Sequence, residues 1–188
     1  LLLHLILLCI RFAMPHADQS MHQDIAVTIR PSKDAVENAV YAMKYQNRRI
    51  YGPTFGKEMA EHFLPYLWER KITLIVPVPL HSRRKRKRGF NQAEIVAKVL
   101  SKNTGIAMDA GAVKRIKATS PQKELGDKGR KRNIRGAFAV QKNVKGENIV
   151  LIDDIYTTGS TLDEAARVLK KAGAENVYFL TVSIGQGI

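Results

Sequence analysis

The stretch from Asn148 to Ser183 reads as strand, turn, helix and strand in immediate succession, and this order constrains the fold more than any other feature. Asn148 to Ile152 (NIVLI) is a continuous β-branched and apolar run, the pattern of a strand covered on both faces. Thr161 to Ala172 carries an apolar stripe at helical spacing and is closed by Gly173, and Val177 to Ser183 is apolar again. Two strands joined through a helix run parallel, and a parallel sheet needs both faces covered. The expected fold class is therefore α/β, a parallel sheet with helices on both faces.

The earlier chain supplies further elements. Gln23 to Arg30 alternates loosely, as a short strand does. Ala35, Val36, Ala39, Val40 and Met43 recur at helical spacing behind Ser32, a candidate N-cap. A second helix is expected from Phe55 to Trp68, with Pro65 bending or shortening it. Ile72 to Val78 suits a strand buried on both faces and ended by Pro77 and Pro79. Another helix opens at Asn91, with Ile95, Val96, Val99 and Leu100 as its stripe and Gly105 just beyond its end. Val113 to Ile116 is a candidate short strand, and Gly136 to Val140 is expected to resume the sheet. Between them, Lys117 to Asn133 has no apolar period, and loops of that length are functional or disordered.

The turn inside the closing unit carries the chemistry. Its strand delivers Asp153 and Asp154 to its C-terminal end, outside which ligands sit in open α/β sheets. Asp153 to Ser160 is expected to be a tight turn. Thr157, Thr158, Gly159, Ser160 and Thr161 add four hydroxyls and a flexible glycine. Backbone N–H groups of such a turn can curl around a phosphate, with the following helix aiming its dipole at the anion. Thr161 and Glu164 read as a capping box that starts the helix at the turn. Acceptors for paired hydroxyls thus lie beside donors for a phosphate, the two features a ribose monophosphate presents. Two plainer readings stand beside this one: solvated turn acids, or the magnesium-binding pair of a nucleotide hydrolase. The hydrolase needs a GK[ST] phosphate loop, and the nearest string, Gly52 to Glu58, has the wrong spacing and ends in Glu.

The 188 residues suffice for one domain with a sizeable core, and the net charge of +14 calls for an anionic partner. Six consecutive cations, Arg83 to Arg88, concentrate that charge. Cys9 is the single cysteine, so neither an intrachain disulfide nor a four-cysteine zinc site can form; a reducing, cytoplasmic setting is expected. The opening LLLHLILLCI is too short to span a bilayer, no basic segment precedes it, and the chain begins with Leu. A fragment edge or misread start is expected in preference to a signal peptide, with no integral membrane association. Residues 1–22 are accordingly set apart as a disordered segment or misassigned start, and residues 23–188 as the domain. His4, His16, His22 and His62 show no metal-ligand spacing, and no Ser/His/Asp or Cys/His set is evident.

Placed after a strand, D-D-x-x-T-T-G-x-T resembles the 5-phosphoribosyl pyrophosphate signature of type I phosphoribosyltransferases. The resemblance implies their Rossmann-like fold, with Asp153 and Asp154 on the ribose hydroxyls and Thr157, Thr158, Gly159, Ser160 and Thr161 on the monophosphate. Val76-Pro77-Val78-Pro79-Leu80 and Arg88-Gly89-Phe90-Asn91-Gln92 narrow it to the ComF family of phosphoribosyltransferase-like proteins, associated with DNA uptake in natural competence. Lys44-Tyr45 with Arg48 or Arg49, and the spaced set Thr119, Pro121, Gln122, Leu125, Arg130, Asn133 and Gly136-Ala137-Phe138, are similar to that family too. The likeness covers roughly residues 30 to 185. By position it implies His81, Ser82, Arg83 and Arg88 near the pyrophosphate. Lys117 to Arg135 then resembles a closing loop whose Lys123, Arg130 and Arg132 bring charge to the leaving group.

The implied reaction moves phosphoribose to an acceptor, an amine or a ring nitrogen, and releases pyrophosphate, with magnesium bridging pyrophosphate and ribose hydroxyls. No residue identifies the acceptor. Two alternatives remain open. One is a non-catalytic competence accessory that binds single-stranded DNA or a protein of the competence machinery. The other is a purine or uracil salvage enzyme, although no base-binding segment follows Ser183. One pyrophosphate cannot occupy six cations, so most of Arg83 to Arg88 is expected to be solvated or to meet something larger. Many ComF members begin with a cysteine-rich zinc ribbon, which Cys9 alone cannot build.

Overall fold

The computed structural model describes residues 26–28, 33–46, 48–118 and 132–184. The apolar opening, the Ser32 cap, and Lys123 and Arg130 lie outside the described residues. The described strands are β1 (Ala26–Thr28), β2 (Leu74–Pro77), β3 (Ala107–Met108), β4 (Val113–Arg115), β5 (Phe138–Val140), β6 (Asn148–Tyr156) and β7 (Asn176–Ile184). The helices are α1 (Lys33–Tyr45), α2 (Tyr51–Glu69), α3 (Ser82–Arg88), α4 (Gln92–Thr104) and α5 (Ser160–Lys171). None of them is long and apolar enough to cross a membrane.

Five strands form one parallel sheet in the order β1-β7-β6-β2-β3. Successive side chains of a strand point to opposite faces, and the apolar runs use both. Ile75, Val150, Ile152, Tyr178, Leu180 and Val182 pack against α1, α2 and α4. Val76, Ile149, Leu151, Val177 and Phe179 pack against α5 on the other face. Ile149, Val150, Leu151 and Ile152 have no measurable exposure, each contributing about 2 kcal/mol through burial. This is the α/β architecture that the closing unit predicts.

The string that fails as a phosphate loop has a structural use. Gly52 and Gly56 lie on the face of α2 that meets α4. A Cβ at Gly56 would stand 2.6 Å from Val99 Cβ and 2.7 Å from the Val96 carbonyl oxygen, and one at Gly52 would stand 2.5 Å from Ile95 Cγ2. The missing side chains let the helices close on the predicted Ile95–Val96–Val99 stripe. Pro65 neither shortens nor splits α2, which continues to Glu69 with the proline on its exposed side.

Gly136 to Val140 does not resume the main sheet. Its strand β5 pairs antiparallel with β4 in a separate two-stranded ribbon, Arg115 opposite Phe138 and Val113 opposite Val140. The burial pattern explains the difference: Val113 and Arg115 are buried while Lys114 is exposed. Such alternation suits a strand covered on one face, unlike the continuous apolar runs of the main sheet. Glu164 of α5 fastens the ribbon's approach, accepting from the Gly136 N–H at 2.7 Å and from Arg167 Nε and Nη2 at 2.8 and 2.7 Å. Those bonds, led by Arg167, hold the Glu164 carboxyl below its ordinary range against the opposing effect of burial. Glu164→Ala leaves the Gly136 N–H without this partner and is expected to cost about 2 kcal/mol in urea unfolding. Arg167→Ala, which keeps that bond, should cost less than half as much.

Candidate functional site

The acids sit on a strand extension and not in a turn. β2 ends opposite Ile152, at the Pro77–Ile152 pair, whereas β6 continues along β7 through Asp153 opposite Thr181 and Ile155 opposite Ser183. The ladder with β7 pairs Asp153, Ile155 and Tyr156, and the Asp154 N–H finds Asp153 Oδ1, which is why the strand outlasts the apolar run. The chain leaves β2 toward β3 and leaves β6 toward β7, in opposite directions along the sheet. The acids therefore stand at the topological switch point, at the carboxyl ends of the strands.

Residues 157–159 form the turn, and α5 begins at Ser160 with Gly159 as N-cap at φ +71°. The helix thus starts before Thr161, and the capping box does not form: Thr161 and Glu164 both lie inside it, and Glu164 reaches Gly136 instead. Thr158 Oγ1 and Ser160 Oγ are 3.0 Å apart across Gly159. A Cβ at Gly159 would lie 2.8 Å from Tyr156 Oη, and Tyr156 is stacked on Phe179 with centroids 5.9 Å apart. Glycine is required here both by the left-handed backbone and by the tyrosine ring beneath it.

The two acids are supported differently. Lys44 Nζ of α1 pairs with Asp154 Oδ1 at 2.9 Å. Asp153 Oδ1 accepts from the Asp154 N–H at 2.8 Å. Burial and the neighbouring Asp154 charge push the Asp153 carboxyl up to about 7, against the smaller lowering effects of that N–H, Lys44 and Arg115. Arg115 is itself buried, with its guanidinium 5.5 Å from the Phe138 ring centroid. Burial and the charge of Arg84 pull its pKa down to about 10, and Asp153 opposes them. It remains cationic at neutral pH.

The basic run lies in a helix, Ser82–Arg88. His81 Nδ1 accepts from the Arg83 N–H at 3.3 Å as N-cap, and Gly89 at φ +82° ends α3. The helix sorts the cations. Arg84 and Arg88, four apart, are half-buried, whereas Arg83, Arg86 and Lys87 are exposed. Lys85 pairs with Glu94 at 2.8 Å. Arg88 Nη1 donates to Gln92 Oε1 at 2.7 Å, and its guanidinium lies 5.9 Å from the Tyr45 centroid. Burial lowers the Arg88 pKa, and Asp154 is the leading influence that raises it.

Of the predicted residues, the structure gathers Asp153, Asp154 and Arg88, with Thr157, Thr158, Gly159, Ser160 and Thr161 directly following the acids in the chain. His81 is occupied as a cap, and Ser82 and Arg83 are exposed. Lys44, Arg84 and Arg115 join the site without having been singled out for it. Arg115 was detectable: period two places it on the face of buried Val113, and an arginine facing a core calls for an acid. Among the described residues no three His, Cys, Asp or Glu side chains converge as a metal cage.

With this geometry in view, residues 68–184 match the family described as the phosphoribosyl transferase domain. The chain is 43% identical over 157 residues to the DNA utilization protein YhgH of Escherichia coli K12, across 80% of this chain and 68% of that protein. For YhgH of Salmonella typhi the identity is 43% over 103 residues, across 55% and 45%. Competence protein F of Haemophilus influenzae is 42% identical over 106 residues, across 55% and 46%. The matches thus span about half the length of the latter two proteins. A solved purine phosphoribosyltransferase from Pyrococcus horikoshii is similar at 18% identity with a TM-score of 0.44, over 69% of this chain and 82% of that one.

Proposed function

Because this chain belongs to the phosphoribosyl transferase domain family, on its ComF branch, we propose that it binds 5-phosphoribosyl pyrophosphate at the β6–α5 turn and transfers the phosphoribosyl group, acting in the cytoplasm. The observation that carries this reading is the extension of β6 past the end of β2, which holds Asp153 and Asp154 just before the Thr157–Gly159 turn. In this reading the two acids accept from the ribose hydroxyls. Residues Thr157, Thr158, Gly159, Ser160 and Thr161 hold the monophosphate. Arg84, Arg88 and Arg115 face the pyrophosphate, with His81, Ser82 and Arg83 beside them. Lys123 and Arg130 belong to the segment expected to complete that side.

The transfer breaks the bond between C1 and the pyrophosphate oxygen, whose electron pair leaves with pyrophosphate. An acceptor lone pair forms the new bond to C1. Magnesium, when bound, neutralises charge on the leaving group. In this reading the ion is carried in on the substrate, near Asp153 and Asp154, the latter already paired with Lys44. The chain's own part is to orient the sugar through its hydroxyls and spread cations along the leaving group.

Calorimetry with 5-phosphoribosyl pyrophosphate and magnesium tests the pocket, and pyrophosphate release across bases and amines tests turnover. No binding by the parent chain would sink the reading. The exposed Arg83, Arg86 and Lys87 favour a second one, a non-catalytic module for single-stranded DNA or a competence-machinery protein. Binding without release for every acceptor would select that module. Lys44→Met removes the cation paired with Asp154, so 5-phosphoribosyl pyrophosphate should bind about tenfold more weakly at pH 7, with its pH midpoint moved upward. An unmoved midpoint would reduce Lys44 to a surface contact.

A further inference from the structure

The solvent face of α2 carries large apolar side chains at both of its ends. Ile50, its N-cap, and Trp68, in its last turn, are 72% and 64% exposed, the highest values among the large hydrophobics of the described residues. The Ile50 backbone is already helical, at φ −58° and ψ −26°. The two residues stand about 18 positions, and so about five turns, apart; both lie on one face, roughly 27 Å from each other. Midway along that face are Lys57 and Glu61, both exposed, with Nζ and Oε1 3.6 Å apart. Phe55, Met59, Phe63 and Leu67 take the opposite side of α2 into the core, so packing within the chain does not account for the outer stripe.

Turned end for end, the stripe complements itself. With a two-fold axis at the level of Met59, Ile50 of one copy meets Trp68 of the other and Lys57 meets Glu61, and every contact occurs twice. Pro53 and Thr54 fall opposite Leu64 and Pro65, so small or apolar side chains flank the central charges. We propose that α2 pairs antiparallel with α2 of a second copy of this chain, forming a homodimer about that axis. Charge favours this occupant. Arg48 and Arg49 precede α2 and Glu69 lies in its last turn, the reverse of what the helix dipole alone prefers, and an antiparallel copy turns both ends toward opposite charge. α2 also sets Glu58, Glu61 and Glu69 against Lys57 in a chain of net charge +14, so two copies repel less across this face than across a basic one. Trp68 then becomes the kind of aromatic anchor that dominates such contacts. The interface uses none of the residues assigned to the sugar or pyrophosphate, so it stands independently of that assignment.

The test is sedimentation equilibrium of the full chain, diluted from about 100 μM to about 0.1 μM. The emission of Trp68, the single tryptophan of the chain, is followed alongside. The parent should pass from dimer to monomer on dilution, its emission moving to longer wavelength in step. Trp68→Ala removes a ring from both ends of the interface and should weaken association at least about a hundredfold. Lys57→Glu leaves two acids at the centre of each chain and Glu61→Lys leaves two lysines, so each variant should self-associate at least about tenfold more weakly. An equimolar mixture of these two variants should pair at close to parent strength, because each then faces the opposite charge. All three positions are exposed, so melting temperatures at the dilute end should stay within a few degrees of the parent. A parent that stays monomeric overturns the proposal, whether Trp68 emits as an exposed ring or as one shielded by its own chain. So does a dimer indifferent to Trp68→Ala, and so do charge-reversed chains that pair no better mixed than apart.

Discussion

Asp153→Asn is expected to lose 5-phosphoribosyl pyrophosphate binding by at least about a hundredfold and, at pH 8, to melt above the parent protein. Both effects follow from one position. Burial and the charge of Asp154 raise the Asp153 carboxyl from its ordinary 3.8 to about 7. Between those values the folded state binds more protons than the unfolded state, so stability falls as pH rises through that window. Above about pH 7 the full cost of ionising this half-buried acid beside Asp154 is present. Asparagine is neutral at every pH, has nearly the same volume, and its Oδ1 can still accept from the Asp154 N–H. The variant should therefore melt higher than the parent at pH 8, and by progressively less toward pH 4, where the parent carboxyl is neutral too. Melting curves at pH 5 and pH 8 check this: the gap should widen with pH. A gap that is flat, or of opposite sign, would show that Asp153 is not ionised against its surroundings. The lost affinity comes from replacing a charged acceptor by an amide at the sugar hydroxyls.

The second large effect lies away from the site. Gly56→Leu is expected to destabilise the protein by more than about 3 kcal/mol, since even a Cβ meets Val99 Cβ at 2.6 Å and the Val96 backbone oxygen at 2.7 Å. A side chain there must separate α2 from α4, which starts at its N-cap Asn91, whose Nδ2 donates to the Val78 carbonyl at 3.0 Å just beyond β2. Gly56→Ala is the milder companion if the leucine variant does not accumulate. Gly105→Ala is the control: its φ is +75° but nothing lies within 4 Å, so it should cost only about 1 kcal/mol of backbone strain. Urea midpoints for the three variants decide the matter. Equal losses at positions 56 and 105 would mean that helix propensity and strain, and not close approach, govern Gly56.

What could be read from the residues follows from how local each signal is. NIVLI and ITLIVPV announce strands buried on both faces because they are short, rich in β-branched residues and bounded by breakers, and the acids and hydroxyl turn are contiguous in the chain. The length of β6 was not legible, because it depends on pairing of Asp153, Ile155 and Tyr156 with Thr181, Ser183 and Ile184. The helix at Ser82–Arg88 was missed for a related reason. Six adjacent cations repel in isolation, and their helix is supported by Glu94, Gln92 and the field of Asp154. Gly52 and Gly56 read as a failed phosphate loop because their use appears only when a second helix lies against them. Glu164 looked like a cap from its spacing, but its partner Gly136 lies earlier in the chain and outside α5.

The strand order also sets a timetable for the ribosome's product. β2 and β3 are translated well before β6, yet β6 must insert beside β2 to join it to β7. Until residue 156 has emerged, β2 keeps one row of peptide groups without its final neighbour, and the apolar side chains on both its faces lack their central layer. The first half of the chain is then sticky cargo rather than a finished subdomain, and maturation waits for a single late closing event.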